Sequence, residues 1–246
     1  MDLLLLVICG VATGFLNTMA GGGSLLSVPL MIFLGVPGTV ANGTMRIAIL
    51  MQNISAVWTF YRKGIANFKL SLSLAACTIP GTLVGAWLAS KIPNDNFNTL
   101  LAIIMVIILV VMAIPQKKIL HDKQKPSQTR LIAGHICMLA IGFWGGFIHI
   151  GVGFLLMPAL NRVMQLDLVT TNAHKVLIVL CYTLVAILVF ASQLELIWSY
   201  GLALGVGTMF GAWIAANMQV KHGIGPIKVT LNIVVVAFII KLLFFS

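Results

Sequence analysis

Hydrophobic positions in this chain neither alternate nor recur at an amphipathic period; they run on. Uncharged stretches extend over Leu3–Met45, Leu70–Ser90, Asn96–Gln116, Leu131–Asn161, Val176–Leu194 and Leu196–Val220. A helix needs about 20 apolar residues to cross the hydrocarbon core of a bilayer. Strands of a membrane barrel would alternate polar and apolar positions, which these runs do not. The pattern therefore predicts an all-α polytopic membrane protein. Ordinary spans are predicted over 40–60, 69–89 and 98–115, and again over 171–191, 197–217 and 227–245. Two longer segments, 3–35 and 131–163, are apolar but interrupted.

The interruptions are chemically specific. Gly21, Gly22 and Gly23 are followed by Ser24 and Pro29, in residues a helix interior disfavours by about 1 kcal/mol per Gly and about 3 per Pro. The second segment carries Gly151 and Gly153 before Pro158. Non-helical backbone at membrane depth is tolerated only where protein buries it or where it lines a wet cavity. Each segment is thus expected to form a glycine-tipped broken helix or hairpin. A helix restarting after the tip presents free N–H groups at the positive end of its dipole, which favour an anion. Close helix packing through small residues is the competing explanation of the glycines.

The chain is written twice. GTLVGAWLA at 81–89 returns as GTMFGAWIA at 207–215. Gly14-Phe15 matches Gly142-Phe143, and Asn42 matches Asn172. Residues 1–115 form a first membrane repeat, 116–130 a basic linker and 131–246 a second repeat. With the linker in the cytoplasm and both interrupted segments returning to their side of entry, nearly every basic cluster falls inside, as orientation rules demand. If each segment crossed once, Lys221, His222 and Lys228 would lie outside. The returning hairpins are preferred, and they make the repeats inverted, as in many secondary transporters. Parallel four-span repeats are the alternative.

Composition sharpens this. Fifteen Lys and Arg face five acids, for a net charge of +10, with charged residues only 8% of the chain. Most of the cations sit in short loops and none is interleaved with aromatics, so a nucleic-acid partner is not expected. The N-terminal MDLLLLVICG carries Asp2 where a secretory signal would be positive, and is expected to belong to the fold. Cys9, Cys77, Cys137 and Cys181 lack metal or redox spacing and read as small apolar side chains. No metal, cofactor, P-loop or nucleophile–base arrangement is expected.

Polar residues within the spans mark a candidate site. Asn42-Gly43-Thr44-Met45-Arg46 follows the first interrupted segment and Asn172-Ala173-His174-Lys175 the second. Each places a cation one turn beyond an Asn, on the same helical face. Charges inside spans usually face a partner or a cavity, although these lie close enough to the helix start to snorkel. Asp2, Asp95, Asp122, Asp167 and Glu195 all fall at the N-terminus or in loops, leaving no carboxylate for the core. A pathway of Asn, Arg, Lys, His and helix N-termini suits an anion. His149 at the second tip and His174 are the groups able to titrate near neutral pH. Gln52, Asn53 and Tyr182 are either cavity liners or partners in interhelical hydrogen bonds. Trp87 and Trp213 are expected at the membrane interface.

The stretch GFLNTMAGGGSLLSVPLMIFLGVP, with ANGT, YRKG and GTLVGAWLA, resembles the TauE/SafE family of sulfite exporters, also called the toluene-sulfonate uptake permease family. The resemblance implies a multi-pass protein of the bacterial or archaeal inner membrane, working as a secondary transporter of sulfite, sulfonates or related sulfur oxyanions. Gly21, Gly22, Gly23, Ser24 and Asn42 carry over as its functional cluster. The second half departs from that pattern, with His149-Ile150-Gly151-Val152 where the first has Ala20-Gly21-Gly22-Gly23.

The sequence, with this resemblance, thus predicts a carrier for a small sulfur-containing oxoanion, with export as the expected direction, by alternating access at the repeat interface. The expected site comprises Asn17, Gly21, Gly22, Gly23, Ser24, Asn42, Thr44, Arg46, His149, Gly151, Gly153, Asn172, His174 and Lys175. A passive anion channel would use the same positive path, and a homo-oligomer is compatible with either.

Overall fold

A computed structural model describes residues 1–19, 21–65, 68–113 and 127–222. Its helices are α1 (Asp2–Met19), α2 (Ser24–Phe33), α3 (Gly38–Arg62), α4 (Phe68–Lys91), α5 (Asn94–Ala113), α6 (Gln128–Phe147), α7 (Val152–Pro158), α8 (Leu168–Gln193) and α9 (Trp198–His222). The protein is an all-helical polytopic membrane protein: five of these helices are long and apolar enough to span a bilayer. The span expected over 227–245 and most of the 116–130 linker lie outside the described residues.

Both interrupted segments break where their glycines stand. Helix α1 stops at Met19, Gly21 adopts φ +87°, and α2 starts at Ser24. Helix α6 stops at Phe147, Gly151 adopts φ +75°, and α7 starts at Val152. That left-handed region is cheap for glycine alone. After Pro158, which offers no N–H, residues Ala159–Val163 widen into a π-turn. Asp167 caps α8, accepting from the backbone N–H of Val169 at 3.1 Å and Thr170 at 3.0 Å.

The sequence repeat GT--GAW-A is a packing face. A Cβ on Gly81 or Gly85 would enter the carbonyls of Leu139 and Phe143, and one on Gly142 or Gly146 would enter the backbone of Thr78 and Thr82. Gly207 and Gly211 meet Val7 and Val11 in the same way, while Gly10 and Gly14 meet Leu204 and Thr208. Backbones this close gain dispersion contacts that lipid cannot supply. In this packing Gly14 is set against Thr208 as Gly146 is set against Thr82. Gly142, the sequence match of Gly14, sits one turn earlier.

These contacts fix helix directions. Along α1 and α9, Asp2 meets Tyr200, Val11 meets Gly211 and Thr18 meets Gln219, so the two run the same way. Along α3 and α9, Thr44 meets Gly201 and Ser55 meets Met209, again parallel. Helix α4 runs with α6, from Ser73–His135 to Gly85–Phe143. Helix α8 opposes α3: Phe190, late in α8, packs on Gly43 and Arg46, early in α3. Because α1 and α3 are parallel, α2 must carry the chain back between them.

The core holds Leu6, Val28, Ala41, Leu74, Met138, Leu156, Tyr182 and Phe190, all fully buried. Leu72, Val84, Ile107, Leu139, Leu188 and Val206 face outward, as lipid contact requires. Trp87 and Trp213 are both exposed. The four cysteines are free and half-buried rather than sealed in the core.

Candidate functional site

The two glycine tips touch. A Cβ on Gly21 would lie inside the main chain of Gly153. Beside this contact is a narrow cleft lined by Asn17, Gly21, Gln52, Asn53, His149, Val152, Gly153, Lys175, Val176 and Val179. It has room for about one water molecule. Gln52 and Asn53 lie near the middle of α3, and Val179 near the middle of α8, so the cleft sits deep between the helix ends. Its lining contains one cation, one imidazole, three carboxamides and no carboxylate.

The expected cations do not snorkel. Arg46 is fully buried and Lys175 only 3% exposed. The guanidinium of Arg46 donates to the carbonyls of Gly145 and Gly146, the latter at 2.8 Å, and lies 5.3 Å from the centre of the Phe190 ring. Asn42 donates to the next carbonyl, Phe147, at 2.9 Å. Lys175 donates to the carbonyls of Thr18 at 2.8 Å and Asn17 at 3.2 Å. Each half of the chain therefore supplies the cation that closes the broken helix of the other half. A helix ending inside a membrane exposes unpaired carbonyls and the negative pole of its dipole, and a cation answers both. Lys175 has three protons and two carbonyl partners, so one proton remains for the cleft that it lines. Arg46 is not part of that lining.

His149 is held from behind. Its Nδ1 pairs with the Tyr182 hydroxyl at 2.8 Å, which leaves Nε2 for the cleft. Gly145 makes room for the Tyr182 ring, which a Cβ there would press at 2.9 Å. Asn17 donates to Gln52 at 3.2 Å, tying α1 to α3 at the cleft wall. Of the three residues open between cavity lining and interhelical bonding, Gln52 does both. Asn53 lines the cleft and bonds within α3 to the Ile49 carbonyl at 2.7 Å, and Tyr182 bonds His149 without lining the cleft.

The remaining expected residues lie around this centre. Gly22 and Gly23 accept from Leu25 at 3.2 Å and Leu26 at 3.0 Å as α2 begins, and Gly23 is pressed against Thr13 and Asn17. Gly151 packs on Ile108 of α5. Thr44 accepts from the backbone N–H of Ile197 at 3.1 Å, outside the cleft. His174 pairs with Ser71 at 2.6 Å, between α8 and α4. Asn172 is different. It is fully buried and neither polar atom of its side chain has a partner, although its repeat mate Asn42 is bonded. It shares a helical face with Lys175, Val176 and Val179, three, four and seven residues on, which line the cleft, although Asn172 itself is not part of that lining. The hydroxyls of Ser24 and Thr18 are likewise buried and unpaired.

Two residues of this region carry no signal in the sequence: Thr18, and Gln219, whose amide donates to the Thr18 carbonyl at 3.3 Å. Only the pairing of α1 with α9 brings Gln219 there. Among the described residues, no group of three His, Cys, Asp or Glu side chains could hold a metal ion.

Comparison with known proteins agrees with this architecture. Residues 6–242 match the model of a family described as sulfite exporter TauE/SafE. The chain is 26% identical over 239 residues to a probable membrane transporter protein ORF9 of Sinorhizobium, covering 97% of this chain and 91% of that one. It is 25% identical to a probable membrane transporter protein of Haemophilus influenzae, covering 96% and 94% of the two chains. It is 27% identical to the probable membrane transporter protein YfcA of Escherichia coli, covering 95% and 86%. No solved structure gives a significant match. With its glycine-broken helices and whole-length match, the chain belongs to the TauE/SafE family of membrane transporters.

Proposed function

We propose that this transporter is a secondary exporter of a small sulfur-containing oxoanion such as sulfite or an organosulfonate. The observation that carries the reading is the acid-free cleft at the meeting of Gly21 and Gly153, with Lys175, His149, Asn17, Gln52 and Asn53 around it. Lys175 supplies the countercharge and a free proton donor, while the carboxamides supply neutral donors. Buried oxyanions are stabilised by such donors and repelled by carboxylates. The unpaired Asn172, one turn from Lys175, extends the set of donors.

We further propose that the two halves are inverted repeats that rock against each other. Supporting this, α1, α3 and α9 share one direction while α6, α8 and α4, their counterparts in the repeat, share the opposite one. Tips entering from opposite faces and meeting at one cleft suit alternating access. The near-closure of the cleft favours a carrier over an open anion channel.

The test is transport of labelled sulfite, thiosulfate and sulfoacetate by the purified full-length chain in proteoliposomes. Saturable flux of one of them, lost in Lys175→Met, is expected. Saturation-free flux with single-channel currents would establish the channel instead, and indifference to all sulfur oxoanions would overturn the substrate class.

A further inference from the structure

Away from the tips, the outer surface carries an apolar groove with a volume of about 300 Å³, lined by Ile54, Val57, Trp58, Tyr61, Phe68 and Leu180. It lies between α3, α8 and the first turn of α4. From Ile54 to Tyr61 it follows about 10 Å of helix. Its wall is a run of aromatic rings: Trp58 and Tyr61 are 6.3 Å apart, and Tyr61 meets Phe68 edge-on at 5.5 Å. Trp58 and Tyr61 are exposed by 59% and 56%.

The Tyr61–Phe68 contact ties the end of α3 to the start of α4, and so brings together the residues next to those rings. These are Arg62 and Lys63 after Tyr61, and Lys69 after Phe68, all exposed. Of the charged groups at this end, Asp167 is engaged in capping α8. An apolar trough lined by Trp58 and Tyr61, with three exposed cations next in the chain to its Tyr61 and Phe68 end, matches the profile of one lipid: hydrocarbon below, glycerol at the aromatic level, phosphate above. The basic loop belongs on the cytoplasmic side, where anionic lipids concentrate.

We propose that this groove binds an anionic phospholipid, with one acyl chain along Ile54–Tyr61 and the headgroup phosphate at Arg62, Lys63 and Lys69. The site is separate from the transport cleft and does not depend on what the cleft carries. Single-chain contact with any lipid would need no cations, so the discriminating property is headgroup preference.

The full-length protein is reconstituted in phosphatidylcholine bilayers containing a minor fraction of brominated phosphatidylglycerol or, in parallel, the same fraction of brominated phosphatidylcholine. The Trp58 signal is the fluorescence difference between the unmodified chain and Trp58→Phe. Brominated phosphatidylglycerol is expected to quench that signal at about tenfold lower mole fraction, and the combined R62Q, K63Q and K69Q variant is expected to erase the preference. Leu180→Trp, which fills the groove without touching the loop, should displace phosphatidylglycerol retained by the protein in native mass spectrometry. Equal quenching by the two lipids would overturn the proposal. So would a Trp58 that neither lipid reaches because a second copy of the chain covers the groove, detected as a dimer in the same spectra.

Discussion

Gly21 and Gly153 meet backbone to backbone, and the cleft that Lys175 and His149 line lies beside that contact. Gly21 also sits at φ +87°, so alanine there incurs two costs. Left-handed backbone costs about 1–2 kcal/mol for a residue with a Cβ, and overpacking adds about 1–3. Gly35 and Gly64 have similar dihedrals, φ +84° and +70°, with nothing near a built Cβ. Gly35→Ala and Gly64→Ala should therefore lose only the first amount, and Gly21→Ala both. Thermal unfolding in detergent ranks the three variants. Transport should fail in Gly21→Ala alone.

Asn172 and Asn42 separate function from stability. Asn42 holds the last carbonyl of α6, so Asn42→Ala should destabilise by about 1–3 kcal/mol, the cost of a buried group left unpaired. Asn172 has no partner to lose. Asn172→Leu should leave the protein equally or more stable by up to about 1 kcal/mol, while raising the KM for the transported anion. Increased stability with unchanged transport would remove Asn172 from the site.

Much of this arrangement is legible in the sequence, and the part that is not has a clear cause. Helices α3, α4, α8 and α9 lie within a few residues of the predicted spans, because long apolar runs in a bilayer have one economical conformation. The breaks at Gly21 and Gly151 follow from residue chemistry that no helix favours. Asn42 with Arg46, and Asn172 with Lys175, are correctly placed on shared faces by spacing alone. Their partners are not: the carbonyls that Arg46 binds are 99 and 100 residues away, and those of Lys175 are 158 and 157. Backbone acceptors leave no mark in side-chain identity. The register of α1 against α6 is ambiguous in the sequence for a related reason. Glycines recur every four residues along the packing stripe, so a one-turn slip matches nearly as many letters, and only the contact with Thr82 or Thr208 decides it.

The two buried cations should behave differently on substitution. Arg46 forks across two carbonyls and does not line the cleft, so a lysine there keeps the charge but loses the fork. Arg46→Lys should lower stability by about 1–3 kcal/mol and leave the KM of the folded fraction unchanged. Lys175→Arg keeps a cation for the end of α1 but intrudes on a cleft with room for one water, and should raise KM with less loss of stability. Thermal unfolding and concentration-dependent uptake, measured on the same preparations, give both quantities. A KM shift in Arg46→Lys would move that residue into the binding site.

His149 and Tyr182 form a unit whose removal can be tested as one. If the cleft-facing nitrogen of His149 meets the transported anion, the Tyr182 hydroxyl contributes only by fixing the ring through Nδ1. Tyr182→Phe then loses one buried hydrogen bond, about 1 kcal/mol, and lets the imidazole turn away from the substrate. Transport efficiency should fall about tenfold, and His149→Ala should lower it further. In the double variant the Tyr182 change has nothing left to orient, so its loss should equal that of His149→Ala alone. A complete cycle of the four chains in one proteoliposome assay reads this directly. Losses that multiply would mean that Tyr182 acts through some other contact, with its pairing to His149 serving only to satisfy two buried polar groups.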